Sequence, residues 1–119
     1  MTDREAKSVE ARIKKCISTW VPIFGLSNWE LSVTFDQDRD IQDRDCAGRA
    51  WVEPEYMEAG LTFYIPAILA AEDRLEYTVV HELAHVLVDE AAGGAHGFHV
   101  ERSTTMVAQS LLRARGETK

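Results

Sequence analysis

The sequence predicts an α+β fold, in which the helices and the strands occupy separate stretches of the chain. Residues 3–20, 70–90 and 98–115 carry apolar residues at spacings of three and four, which is the periodicity of an amphipathic helix. Between the first two of these stretches lie three short segments with the pattern of strands. Since the two types of element do not alternate, we expect a short, mainly antiparallel sheet of about three strands packed against the helices.

The N-terminal helix is predicted over residues 3–20. Apolar residues recur from Val9 to Trp20 with charged residues between them, so one side of the helix is apolar. Pro22 and Gly25 follow closely, and both residue types disfavour a continuing helix. We therefore expect this helix to end near Pro22.

The first strand is predicted over residues 29–35, where four apolar residues alternate with polar ones. Residues 36–45 contain five aspartates and two arginines, a composition that predicts an exposed loop. Two further strands are predicted over residues 48–53 and 60–65, each followed directly by a proline. Because proline cannot donate a hydrogen bond to a sheet, at least one of these two strands is expected at a sheet edge.

The two C-terminal helices are predicted over residues 70–90 and 98–115. The first has apolar residues at helical spacing and ends before Gly93 and Gly94. The second has one apolar side, and basic residues near its end, where the helix dipole favours positive charge.

The first of these helices contains the sequence His-Glu-Leu-Ala-His, an HExxH motif, at residues 81–85. At about 100° per residue, His81 and His85 lie only about 40° apart around the helix axis and one turn apart along it, so both imidazoles can bind one ion. Glu82 lies to the side of that pair, where a carboxylate can contact a metal-bound water without displacing it. The motif therefore predicts a catalytic metal site with Glu82 as general base.

A third protein ligand is needed for a catalytic zinc ion, and the residues alone leave three candidates: His96, His99 and Glu101. The longer motif of the metzincins is absent, since Val88 and Ala91 stand where it requires Gly and His. His99 and Glu101 are two residues apart, so on one helix they point in different directions and do not easily share an ion.

The chain resembles the compact gluzincin metallopeptidases, which include small phage and prophage members and the ImmA/IrrE-type peptidases. In that family a helix after HExxH opens with a ligand Glu, followed by Ala seven residues on and an apolar pair at ten and eleven. Glu101, Ala108, Leu111 and Leu112 match this pattern. The resemblance implies a small zincin-like domain, one zinc ion per chain, Glu101 as third ligand, and an edge strand near residues 60–65 beside the zinc.

A rival resemblance is to the SprT-like peptidases, which place a third His in a His-Gly motif near a Phe after HExxH. His96, Gly97 and Phe98 are similar to that motif, although His96 follows the HExxH motif more closely than is usual for them. Either resemblance covers residues 29–112, and HExxH is its specific part. The C-terminal subdomain of the large gluzincins is lacking, so a shallow substrate cleft is expected.

The implied reaction is hydrolysis of a peptide bond by a zinc-activated water, with Glu82 taking the proton. His96, or alternatively His99, is the candidate donor to the developing oxyanion. Asp89, four residues after the second motif histidine, is a candidate for orienting a ligand imidazole. An extended peptide can pair with the predicted edge strand over residues 60–65.

Length and charge define the other expectations. A chain of 119 residues with a net charge of −7 predicts one domain over residues 1–119, and it has no basic run that would bind nucleic acid. It has no long apolar segment and no signal-peptide core, so we predict a cytoplasmic protein without a membrane partner, monomeric by default. The predicted partner is a peptide or protein substrate. The alternative from another class is a protein-interaction module in which the zinc site is structural or vestigial.

Overall fold

The computed structural model describes residues 2–37, 47–92 and 98–116 of the chain. Over these residues it has four α-helices and a three-stranded mixed sheet, which confirms the predicted α+β fold. In chain order the elements are α1 (Asp3–Trp20), β1 (Glu30–Asp36), β2 (Gly48–Glu53), β3 (Glu58–Tyr64), α2 (Ile65–Ala70), α3 (Leu75–Ala92) and α4 (Phe98–Ala114), with short 3-10 turns at Pro54–Tyr56 and Glu72–Arg74.

Helix α1 has the predicted bounds and begins with a capping box. The Thr2 hydroxyl accepts a hydrogen bond from the Glu5 N–H at 3.1 Å, and the Glu5 carboxylate accepts one from the Thr2 N–H at 3.0 Å. This reciprocal pair satisfies backbone donors that the first turn of a helix leaves without a partner. The apolar side of α1, which includes Ile13 and Trp20, is buried in the core.

The sheet is mixed, and this corrects the expectation of a mainly antiparallel one. Its strand order is β1-β3-β2, in which β3 pairs antiparallel with β2 and parallel with β1. Because β3 is the central strand, the prediction of an edge strand at residues 60–65 is wrong. The weaker prediction, that at least one of the two proline-bounded strands lies at an edge, is confirmed by β2.

The position of Pro66 explains why β3 can be central. This residue lies beyond the last residue of β3, in the first turn of α2, where a helix does not need the missing N–H. It therefore places no restriction on the hydrogen bonding of β3. The inward-facing side chains of the strand, Leu61 and Phe63, are fully buried beneath the helices, as a strand with two neighbours requires.

The region between the sheet and the HExxH helix differs from the single helix predicted from residue 70. Helix α2 and the Glu72–Arg74 turn come first, and α3 begins at Leu75 and extends to Ala92. A proline in the first turn followed by apolar residues is the sequence signal for α2.

Helix α3 occupies the centre of the molecule and packs against α1, α4 and β2. Its side chains Val79, Val80, Leu83 and Val86 are fully buried. Helix α4 buries Thr104, Ala108 and Leu112. None of the described helices, α3 included, has the length and hydropathy needed to cross a lipid bilayer.

Candidate metal centre

The HExxH motif lies in the middle of α3, where the fold gives its three polar residues different environments. Glu82 is buried, with only 6% of its surface exposed, whereas His81 and His85 are half-buried on the side that faces α4. The two imidazole rings lie edge to face, with their centroids 4.9 Å apart. The one-turn separation predicted from the sequence therefore brings the two rings together.

Glu101, in the first turn of α4, completes a group of three metal-binding side chains. Its Oε1 lies 3.0 Å from Nε2 of His81, and its Oε2 lies 3.2 Å from Nε2 of His85. One ligand atom from each of the three residues lies within 4.8 Å of the other two. Of the three candidates for the third ligand, Glu101 is thus the one that the described side chains bring to the two histidines.

These donor atoms lie close enough together to share one metal ion. Donors around a tetrahedral zinc ion lie roughly 3.3 Å apart, and the two imidazole nitrogens lie 3.0 and 3.2 Å from the two different oxygens of Glu101. Two imidazoles and one carboxylate also form a familiar ligand set of catalytic zinc. The residues present can therefore hold a metal ion.

A threonine of α4 lies behind the second histidine. The hydroxyl of Thr104 is 3.5 Å from Nδ1 of His85, and its side chain is fully buried. For Asp89, the residue expected to orient a ligand imidazole, the Oδ1 atom is buried and makes no hydrogen bond to the described residues. The role expected of Asp89 stays a prediction. Thr104 follows Glu101 by three residues and so lies on the same side of α4, where its hydroxyl approaches His85.

Glu82 is held as a buried carboxyl group. Burial and, to a smaller extent, the charge of Glu101 raise its pKa to about 8, while the positive charge of Arg49 acts in the opposite direction. Gly48, the first residue of β2, lies close to Glu82, since a Cβ atom added to Gly48 would lie 3.0 Å from Cγ of Glu82. A larger residue at this position would therefore require Glu82 to shift by a few tenths of an ångström.

His81 has a pKa below its ordinary value. Burial is the largest cause and the nearby His85 is the second, while Glu101 acts in the opposite direction. The shift favours the neutral imidazole, which is the form that binds metals. The other ring nitrogen of His81, Nδ1, is buried and makes no hydrogen bond to the described residues.

A cleft of about 830 Å³ opens onto these residues. Edge strand β2 and the segment before it form one wall, and α2 with the first half of α3 forms the other. The lining residues are Ala47, Gly48, Arg49, Ala50, Ala67, Ala71, Arg74, Tyr77, Thr78, His81, Glu82, His85 and Glu101.

The sequence identified four of the residues that line the cleft, His81, Glu82, His85 and Glu101. The other polar lining residues, Arg49, Arg74, Tyr77 and Thr78, belong to no motif, so only the fold assigns them to the cleft. His96 lies outside the described residues. His99 lies in the first turn of α4, but its side chain is also outside what the structure describes, so the oxyanion donor remains a prediction.

No family model, curated protein or solved structure matches this chain. The resemblance to the compact gluzincins therefore remains a prediction from the motif and its spacing.

Proposed function

We propose that the protein is a zinc-dependent metallopeptidase-like hydrolase of the gluzincin type, with one metal ion held by His81, His85 and Glu101. The observation that carries this proposal is the approach of both imidazole Nε2 atoms to the two oxygens of one carboxylate, at 3.0 and 3.2 Å, at the floor of an open cleft. The donor set favours zinc, although metal availability also decides which ion a site of this kind takes up.

When bound, zinc lowers the pKa of a coordinated water to about 7 and polarises a substrate carbonyl. The chain supplies the remaining requirements. The lowered pKa of His81 keeps its imidazole available as a ligand. Glu101 contributes the negative charge that balances part of the charge of the ion, and its side chain remains 59% exposed, which leaves the centre open to the cleft.

Glu82 is the residue placed to accept a proton. It follows His81 directly and lines the same cleft, yet it does not belong to the ligand group. Burial makes its ionised carboxylate a stronger base than an exposed glutamate, and a bound cation, which favours the charged form, would keep it ionised near neutral pH. The close cover from Gly48 restricts where this carboxylate can move.

A peptide substrate is supported by the position of β2. This strand borders the cleft, and among the described residues it has a strand partner on one side only, which is β3. Its cleft-lining residues are Gly48, Arg49 and Ala50, of which Gly48 and Ala50 are small and leave room for the backbone of an extended peptide to pair with the strand. The role predicted for residues 60–65 is thus assigned to β2.

Metal content and peptide hydrolysis test the proposal together. We expect about one zinc ion per chain in the wild type and in Glu82→Gln, and loss of zinc in His81→Ala and Glu101→Ala. We expect Glu82→Gln to reduce hydrolysis of a peptide library by about 10²- to 10⁴-fold, as for loss of a general base. Replacement of the exposed Glu55 by Gln is the matched control.

Two outcomes would overturn the proposal. Zinc retained by both ligand variants would place the metal elsewhere. Zinc bound as expected, with no hydrolysis above that of Glu82→Gln, would favour the zinc-stabilised interaction module.

A further inference from the structure

Three side chains form a stack along one wall of the cleft, leading away from the metal centre. The centroid of the Tyr77 ring lies 5.7 Å from that of the His81 ring. The guanidinium carbon of Arg74 lies 4.7 Å from the centroid of the Tyr77 ring, over its face. Spacings of four and three residues place all three on one side of the helix and of the turn that precedes it.

The guanidinium of Arg74 has no carboxylate partner among the described residues, although acidic residues surround it in the sequence. Glu72 forms an ion pair with Arg12 at 2.9 Å. Glu76 accepts a hydrogen bond from the indole N–H of Trp20 at 3.0 Å. The side chain of Arg74 is exposed and lines the cleft.

We propose that Arg74 binds a carboxylate group of the substrate. Stacking on a ring leaves the N–H edge of a guanidinium free, and that edge matches the two oxygens of a carboxylate. The ring also holds the guanidinium in place, so less side-chain freedom is lost when the carboxylate binds. This inference names the substrate class of the proposed peptidase and rests on that function.

The spacing along the helix gives the position of the carboxylate. Seven residues separate Arg74 from His81, which corresponds to roughly 10 Å along the helix axis at 1.5 Å per residue. An extended peptide advances about 3.3 Å per residue. For a peptide that runs alongside α3, the carboxylate should therefore lie about three residues from the scissile bond. An aspartate or glutamate side chain and a free C-terminus offer the same chemistry at that position.

Binding measurements test the inference without hydrolysis. The probes are fluorescein-labelled, alanine-rich peptides in two pairs. The peptides of the first pair have an amidated C-terminus and carry either one Asp or one Asn. The peptides of the second pair lack Asp and have either a free or an amidated C-terminus. Fluorescence anisotropy with zinc-loaded Glu82→Gln protein gives each Kd. In at least one of the two pairs, Asp against Asn or free against amidated C-terminus, we expect the peptide with the carboxylate to bind about tenfold more tightly. The preference should weaken as salt is added.

Replacement of Arg74 identifies the residue responsible. In the Glu82→Gln background, Arg74→Gln should bring the carboxylate and neutral peptides to nearly equal Kd, and Arg74→Lys should keep part of the preference through its charge. Arg113→Gln, a matched change at an exposed residue of α4, should keep all of it. Any of three results would overturn the inference. These are a carboxylate preference that survives Arg74→Gln, equal Kd values for the paired peptides in the Glu82→Gln protein, and no measurable binding of any peptide.

Mapping the cleavage sites in a peptide library treated with the zinc-loaded wild type separates this inference from the proposed function. We expect Asp, Glu or the C-terminus to be enriched about three residues from the cut. Hydrolysis without that enrichment would overturn the carboxylate site and leave the peptidase intact. A carboxylate preference in binding without any hydrolysis would overturn the peptidase and leave Arg74 as a carboxylate-binding residue.

Discussion

Replacing Glu82 by Gln should stabilise the metal-free protein, and the gain should grow with pH. The pKa of this carboxyl is raised from 4.5 to about 8 in the fold. Between these two values the folded protein binds a proton that the unfolded chain has already released, so the free energy of unfolding falls as pH rises. At 1.36 kcal/mol per pKa unit, the loss is at most about 1 kcal/mol at pH 5 and about 4 kcal/mol at pH 8.

The assay is thermal unfolding of the wild type and Glu82→Gln in the presence of a chelator, from pH 5 to pH 8. For 119 residues, 1 kcal/mol corresponds to about 4 °C in Tm, so the variant should gain up to about 12 °C on the wild type over this range. The lowered pKa of His81 has the opposite sign, since its contribution to stability is present above its unfolded pKa and is lost as pH falls through the folded value. His81 is common to both proteins, so its effect cancels in the difference.

A difference in Tm that stays constant from pH 5 to pH 8 would refute this reasoning. The exposed Glu55, changed to Gln, is the matched control and should give such a constant difference. Saturation with zinc should reduce the pH dependence of the wild type, because a nearby cation favours the charged form of Glu82.

Three further substitutions test the packing around the site. Gly48→Ala should lower kcat for peptide hydrolysis by about tenfold or more at unchanged zinc content, because its Cβ displaces Glu82. Thr104→Val should weaken zinc binding by about tenfold, measured by competition with a chromophoric chelator, because His85 loses the hydroxyl beside Nδ1. Leu83→Ala should lower the free energy of unfolding by about 3 kcal/mol in urea, since the side chain is fully buried in the middle of α3.

Each of these expectations has a result that contradicts it. Gly60→Ala is the control for Gly48→Ala, since its Cβ would meet only the exposed ring of Trp51, so an equal fall in kcat would show that any strain in the sheet suffices. An unchanged zinc Kd in Thr104→Val would mean that the hydroxyl of Thr104 does not contribute to zinc binding. A loss below about 1 kcal/mol in Leu83→Ala would mean that the core closes around the missing side chain.

The sequence predicted the elements whose patterns are local and missed what depends on pairing. The alternation of residues 29–35 and the helical periodicity of residues 3–20 gave bounds within one residue of β1 and α1. The central position of β3 depends on which strands pair, and nothing within residues 60–65 specifies that. Pro66 suggests a sheet edge, but it lies in the first turn of α2, which begins directly after β3.

The same distinction, between local sequence patterns and contacts between elements, applies to the candidate metal site. The spacing of His81 and His85 fixes their relation within one helix, so both could be identified from the sequence alone. Glu101 was selected among three candidates by family resemblance, and its contact with both histidines depends on how α4 packs against α3. Arg74 has no motif of its own, and its role depends on a cleft that only the folded chain forms.

The third ligand comes from a helix that is joined to the others through residues 93–97 and buries few of its side chains completely. Among its described residues only Thr104, Ala108 and Leu112 are buried, and the first of these also lies beside His85. Since Glu101 can bind an ion together with α3 only while α4 is docked, zinc should slow amide exchange in α4 far more than in α1. If the proposed site holds zinc, binding of the metal and docking of the C-terminal helix would be coupled, so zinc would stabilise the docked helix.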